Sequence, residues 1–240
     1  MRRQIEGLGV GPVRTQVNRG LRHIVAIILL GLGPLAGAAP ANVAPAADRL
    51  LAADRLPAAD ALTALMDRLN QFQQLHLRFE QRVTGPGAER QQGDFYLQRP
   101  AQFRLESLDQ PLVISDGETI YEYDALLAQL KLQSFDALDA SSPAKVLLMS
   151  KAELSASFDV TFDAASGTAE HFVLVPTEST SLIAWVRMTF AGGVPSQITL
   201  MTQSKMQVSI TLSLVSLNDA LPASLFEFET PAGIDVIDDR

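Results

Sequence analysis

The sequence contains no cysteine among its 240 residues, and this absence excludes several kinds of protein. Disulfide bonds, cysteine metal centres and a lipid-modified cysteine are all impossible without a thiol. The lack of disulfides does not contradict export, because a domain of about 200 residues buries some 70% of its unfolded surface and needs no crosslink. We therefore expect a soluble mature chain that carries no lipid anchor.

Residues that carry out chemistry are also few. His76 and His171 are the two histidines beyond the leader, and they lie in predicted strands 95 positions apart. Neither has neighbours at the spacing of metal ligands. No Gly-x-Ser-x-Gly nucleophile motif occurs. We therefore predict that the protein is not an enzyme and binds no metal or cofactor.

Two pairs of acidic residues leave one enzymatic alternative open. Asp136 with Asp139, or Asp235 with Asp238, could act as the paired carboxylates of a secreted glycoside hydrolase. Both pairs lie in polar stretches, where an acidic protein surface also accounts for them. A hydrolase is therefore the less favoured hypothesis.

The charge of the chain is strongly negative. The net charge is −8, and without residues 1–38 the chain keeps 14 basic and 26 acidic side chains, a net of −12. Such a surface repels phosphate backbones and anionic headgroups, so we exclude nucleic acid as a partner. Solubility explains the charge equally well.

The N-terminal region is typical of an export signal followed by an arm. Arginines precede an apolar run at 24–36, which ends in the small-x-small sequence Ala36-Gly37-Ala38. The run is too short for a bilayer span, which needs about 20 residues, so a membrane anchor is less favoured than a cleaved signal peptide at 1–38 and a periplasmic location. Residues 39–59 form an Ala-rich arm with a short AADRL repeat.

Residues 60–240 are predicted to form one mainly β domain. An amphipathic helix begins it, with apolar residues at helical spacing: Leu62, Leu65, Met66, Leu69 and Phe72. A second short helix is predicted at 142–149, where Pro143 suits a first helical position. The remaining segments alternate apolar and polar residues and predict about eleven antiparallel strands: 76–83, 90–99, 103–108, 112–115, 119–124, 129–132, 158–164, 169–176, 182–190, 195–202 and 207–216.

One face of this sheet is predicted to be apolar and to lie under the two helices. We assign eight residues to it: Phe95, Leu97, Phe103, Leu105, Tyr121, Tyr123, Leu130 and Leu132. The face is either an ordinary core or the lining of a cavity for a hydrophobic ligand. Pattern alone slightly favours the ordinary core.

Arg99 stands out in the stretch GDFYLQRPAQFRLE at 93–106. Alternation places its guanidinium on the same face as Phe95 and Leu97. A buried polar group is costly only when it has no partner, so Arg99 requires hydrogen-bond acceptors on that face.

The sequence resembles the LolA family of periplasmic lipoprotein carriers. The resemblance covers about residues 60–239 and is most specific in three stretches: GDFYLQRPAQFRLE at 93–106, LVISDGETIYEYD at 112–124 and FEFETPAGIDVI at 226–237. It implies an unclosed half-barrel of about eleven antiparallel strands, with helices as a lid over a hydrophobic cavity.

The resemblance also implies a function. Such proteins take acylated lipoproteins from an inner-membrane ABC-type release complex and pass them to an outer-membrane receptor, LolB. The family's Arg-Pro arginine falls on Arg99, which would hydrogen-bond to the lid helices and gate the cavity, and the family's aromatic residue at the cavity mouth falls on Phe103. LolB has the same fold but is lipidated, and the absence of cysteine argues against that assignment. We expect a monomer.

Two departures from the family pattern keep an alternative open. The stretch MTQSKMQ at 201–207 carries two methionines and a lysine where the family often has acidic and amide residues, and the Ala-rich arm is unusual. The alternative is a LolA-like carrier or sensor of another amphiphile, such as a glycolipid.

Overall fold

A computed structural model describes residues 57–84, 90–108, 110–164 and 169–240. The predicted signal peptide at 1–38 and nearly all of the predicted arm at 39–59 lie outside these residues. The described residues begin just before the first helix, so the fold can be compared with the prediction from residue 60 onwards.

Twelve strands form a single sheet. In chain order they are β1 Gln74–Thr84, β2 Arg90–Gln98, β3 Gln102–Ser107, β4 Leu112–Asp116, β5 Thr119–Asp124, β6 Gln129–Ser134, β7 Phe158–Ala164, β8 Ala169–Pro176, β9 Ile183–Ala191, β10 Val194–Thr202, β11 Gln207–Leu217 and β12 Asp235–Asp238. Their spatial order is β12-β6-β5-β4-β3-β2-β1-β11-β10-β9-β8-β7. The sheet is unclosed, because β7 and β12 stand at opposite edges without pairing with each other.

The predicted mainly β, unclosed architecture is confirmed, with one correction to the strand pairing. Ten of the eleven strand pairings are antiparallel, but β12 pairs with β6 in parallel, with Val236 opposite Leu130. The chain reaches this edge by crossing the sheet from β11, and a connection of that length permits a parallel arrangement. The strand covers the exposed edge of β6, which would otherwise be free to pair with another chain.

Within the described residues, three helices accompany the sheet: α1 Ala58–Leu69, α2 Pro143–Leu148 and α3 Lys151–Ser157. The predicted amphipathic helix is confirmed as α1, and its stripe of Ala61, Leu65, Met66 and Leu69 is buried. The segment predicted as one helix at 142–149 is α2, and it is followed by α3, which begins at a capping box between Ser150 and Glu153.

A single hydrophobic core joins both halves of the sheet to the helices. It includes residues from β1 to β5, from β7 to β11 and from all three helices. Twelve flat strands at about 4.8 Å spacing would extend about 53 Å, so strands this far apart share one core only if the sheet curls around it. We call the concave side that holds this core the inner face, and α1 and α2 over it the lid.

A smaller apolar cluster lies on the opposite, outer face of β3 to β6. The C-terminal segment crosses this face in a short 3-10 helix, Ala223–Phe226, and Arg104 on β3 donates a hydrogen bond to the Leu225 carbonyl at 3.2 Å. Phe226 is fully buried, and the ring of Phe228 stacks on Tyr121 with 5.4 Å between the centroids. The sheet therefore has apolar residues on both faces in this region.

Candidate functional site

Four of the eight predicted cavity residues lie together on the inner face. Phe95 is opposite Leu105, and Leu97 is opposite Phe103, in the pairing of β2 with β3. All four are buried and belong to the main core. The alternation of GDFYLQRPAQFRLE therefore placed these side chains correctly, on the face covered by the lid.

The other four, Tyr121, Tyr123, Leu130 and Leu132, are on the outer face, and that part of the prediction is wrong. The register explains the error: Leu105 pairs with Val113, and Val113 pairs with Glu122. The inner-face positions of β4 and β5 are therefore Val113, Ser115, Ile120 and Glu122. The tyrosines and leucines pack instead on the C-terminal segment.

The lid does not fill the space above the inner face completely. An apolar gap of only about 10 Å³ lies between α2 and the sheet. It is lined by Phe79, Phe95, Pro143, Ala144, Leu147, Ile198, Ile210 and Leu212. Sites that bury a small ligand usually occupy roughly 300–1,000 Å³, so this gap cannot hold an acyl chain unless α2 moves away from the sheet.

Arg99 directly follows the last residue of β2 and contacts both lid helices. Its Nη2 donates to the carbonyls of Leu147 at 2.8 Å and Leu69 at 3.0 Å, its Nη1 donates to Leu148 at 3.1 Å, and its Nε donates to Phe72 at 3.2 Å. The carbonyls belong to the ends of both lid helices or to the residues just after α1. One guanidinium thus holds α1 and α2 together.

The chemistry of this contact is that of a helix C-terminal cap. The last carbonyls of a helix have no partner within the helix and carry the negative end of its dipole, so a cation there satisfies both needs. Burial lowers the pKa of Arg99, but the guanidinium stays charged because its ordinary pKa lies far above neutral pH. The ring of Phe72 also lies 5.3 Å from the guanidinium carbon.

The inner face carries a polar pair that the prediction overlooked. Gln81 on β1 and Gln91 on β2 are directly opposite each other. Both side chains are buried, at 0% and 7% exposure. The alternation of HLRFEQRV already put Gln81 on the same face as Phe79, so the signal was present in the sequence.

The residues considered for catalysis do not form one site. The four aspartates are exposed, and each of the two histidines bonds to another side chain. Asp136, Asp139, Asp235 and Asp238 are all exposed. His76 bonds to Asp94 at 2.8 Å, and His171 bonds to Thr189 at 2.9 Å on the other half of the sheet. Over the described ranges, no group of three or more His, Cys, Asp or Glu side chains could hold a metal ion.

Within residues 57–84, 90–108, 110–164 and 169–240, no helix is both long enough and apolar enough to cross a bilayer.

Together these features define a class: an open, curled β-sheet whose apolar inner face is closed by a helical lid capped by one arginine. Residues 70–229 match the family model for the outer membrane lipoprotein carrier protein LolA. The chain belongs to the LolA family.

Curated relatives agree with this assignment. The chain is 32% identical over 181 residues to the outer-membrane lipoprotein carrier protein of Azotobacter vinelandii, covering 73% of this chain and 86% of the relative. It is 32% identical over 174 residues to the protein of the same name from Pseudomonas aeruginosa PAO1, covering 70% and 83%.

A solved structure supports the fold alone. The chain is similar to an uncharacterized conserved protein from Thermus thermophilus, with a TM-score of 0.50 and 11% identity. The match covers 73% of this chain and 98% of that structure.

Proposed function

We propose that this protein is a periplasmic carrier that binds the acyl chains of lipoproteins and delivers them to the outer membrane. The observation that carries the proposal is an apolar inner face covered by a lid that Arg99 caps, in a chain of the LolA family. The carrier names of the relatives from Azotobacter and Pseudomonas support the same cargo.

In the proposed cycle the lid opens to expose the inner face. Acyl chains then take the place of the lid against Phe95, Leu97, Phe103 and Leu105, while α2 moves away. Each buried CH₂ contributes about 0.8 kcal/mol, so several fully buried chains would bind too tightly for later release. Opening breaks the hydrogen bonds of Arg99 to the helix ends, and this cost offsets part of the gain. The carrier thus holds its cargo weakly enough to pass it on.

The proposal extends to the partners and the location. An inner-membrane ABC-type release complex would supply the cargo, and a LolB-like outer-membrane receptor would accept it. The export signal predicted at residues 1–38 supports a periplasmic site of action, and the net charge of −12 beyond residue 38 argues against nucleic acid as a partner. The carrier would act as a monomer without catalysis or cofactor.

Mass spectrometry of molecules that copurify with the tagged protein from a periplasmic extract tests this function. Near-equal amounts of triacylated lipoproteins are the expected result. Free glycolipid would identify a carrier of another amphiphile on the same scaffold. No bound molecule, even after the release complex has been supplied with lipoprotein, would overturn the proposed function.

A further inference from the structure

The inner face contains two buried amides that have no hydrogen-bond partner within the described residues. Both side-chain polar atoms of Gln81 and both of Gln91 lack a partner. Leaving such a group unpaired in an apolar environment is unfavourable, because its hydrogen bonds to water are lost and not replaced. The surroundings are apolar: Phe79 and Val83 flank Gln81 on its strand face, and Ile210 is opposite it on β11.

Pairing between the two amides would not satisfy them. A primary amide has two N–H donors and an oxygen with two lone pairs. A reciprocal bond between Gln81 and Gln91 would use one donor and one acceptor site of each side chain. At least one N–H of each would remain, on the face that also forms the cavity.

The position of the pair relative to the cavity suggests its occupant. Phe79 and Ile210, which adjoin Gln81, line the apolar gap beneath α2. Gln91 is the second residue of β2 and Gln81 lies three residues before the end of β1, so the pair lies near the same end of both strands. Arg99 caps the opposite end of β2, about 27 Å from Gln91 at 3.4 Å per residue. Acyl chains that take the place of α2 along β2, with their polar linkage at the end opposite Arg99, would bring that linkage beside the amides.

We propose that Gln81 and Gln91 form a polar subsite that donates hydrogen bonds to the ester carbonyls joining the acyl chains of the cargo to its glyceryl group. This inference rests on the proposed carrier function and deepens it. Carbonyl oxygens at the end of an apolar chain accept the free amide N–H groups, while the hydrocarbon fills the gap. A plain hydrocarbon would leave the amides unpaired, so the subsite selects acyl-linked lipids.

The test compares two synthetic cysteinyl lipopeptides that differ only in their two glyceryl linkages, ester in one and ether in the other. Affinities are measured by displacement of a fluorescent apolar probe from the purified mature protein. The wild type should prefer the ester-linked peptide about tenfold, which corresponds to about 1.4 kcal/mol. Gln81→Leu/Gln91→Leu should bind both peptides equally, with the affinity of the wild type for the ether form.

Gln92→Leu is the matched control, because Gln92 is an exposed glutamine on the outer face beside Gln91. It should keep the full ester preference. If the double leucine variant fails to fold, Gln81→Met and Gln91→Met, which preserve side-chain length, should each lose part of the preference.

Three results distinguish a failure of the proposed subsite from a failure of the proposed carrier function. Equal wild-type affinity for the two peptides would overturn the subsite and leave the carrier function standing. A double variant with lower thermal stability but an unchanged ester preference would show a structural pair only, and would also overturn it. No wild-type binding of either peptide would overturn the proposed function itself.

Discussion

The two helices of the lid are attached to the sheet in different ways. α1 buries Ala61, Leu65, Met66 and Leu69 against the core, and its Arg68 makes a bidentate ion pair with Glu170 on β8, at 2.5 and 2.6 Å. α2 is half as long, lies over the apolar gap, and is bonded at its last turn to Arg99.

This difference indicates which part of the lid moves. Buried apolar contacts along twelve residues and an ion pair hold α1, whereas the six residues of α2 border a small gap and bond to Arg99 at their last turn. The helix with fewer packed neighbours has the lower free energy of local opening. We therefore expect α2 to swing away while α1 stays on the sheet.

Truncating one buried leucine in each helix tests the comparison with the largest expected effect. Leu65→Ala on α1 should lower the free energy of unfolding by about 3 kcal/mol, because it leaves a new cavity in a filled core. Leu147→Ala on α2 should cost about 2 kcal/mol, because the six-residue helix can shift into the space that the side chain leaves. Urea denaturation gives both values, and equal losses would contradict the difference in packing.

Removing the cap should change cargo release. Arg99→Leu should fold and bind lipopeptide, but its transfer to the outer-membrane receptor should fall at least about tenfold, because no cap competes with the bound chains for the lid. A reconstituted transfer assay measures this. Arg99→Lys is the control and should be intermediate, since one ammonium cannot reach four carbonyls. Normal transfer by Arg99→Leu would reduce Arg99 to a structural anchor.

The ion pair of α1 should give a small, pH-dependent effect. The hydrogen bond from Arg68 holds the pKa of Glu170 below its ordinary 4.5. The pair therefore stabilises the fold above pH 4.5, and this contribution is lost as the pH falls through the lowered pKa.

The comparison with Glu170→Gln measures it. The variant should be about 0.5 kcal/mol less stable than the wild type at pH 7, since both side chains are partly exposed, and equally stable near pH 2. A difference that persists unchanged in acid would exclude the ion pair as its cause.

The sequence predicted the elements well and their mutual register only in part. Strand boundaries and the inner positions of β2 and β3 followed from alternation, since the outward-facing residues of those strands are mostly polar. In β4 and β5 both faces carry apolar residues, and in β6 the apolar residues face outward, because Phe226 and Phe228 return from the end of the chain to cover the outer face. Local alternation cannot show which apolar set faces inward when a distant segment covers the other.

Two features of the helices differed in how clearly the sequence indicated them. The capping box of α3 was readable in the sequence as Ser150 followed by Glu153, and it was overlooked. The need of Arg99 for acceptors followed from its position on an apolar face. That these acceptors are the ends of both helices depends on how the sheet curls, which brings together α1 and α2 although they are far apart along the chain.

Hydrogen exchange in the empty protein tests the central claim, that Arg99 holds α2 closed, most directly. Mass spectrometry would follow the amides of residues 143–149 and of 61–66 in the wild type and in Arg99→Leu. The account predicts that exchange in 143–149 becomes at least about tenfold faster in the variant, while exchange in 61–66 changes little. Unchanged exchange in 143–149 would contradict it, because α2 would then stay closed without its cap.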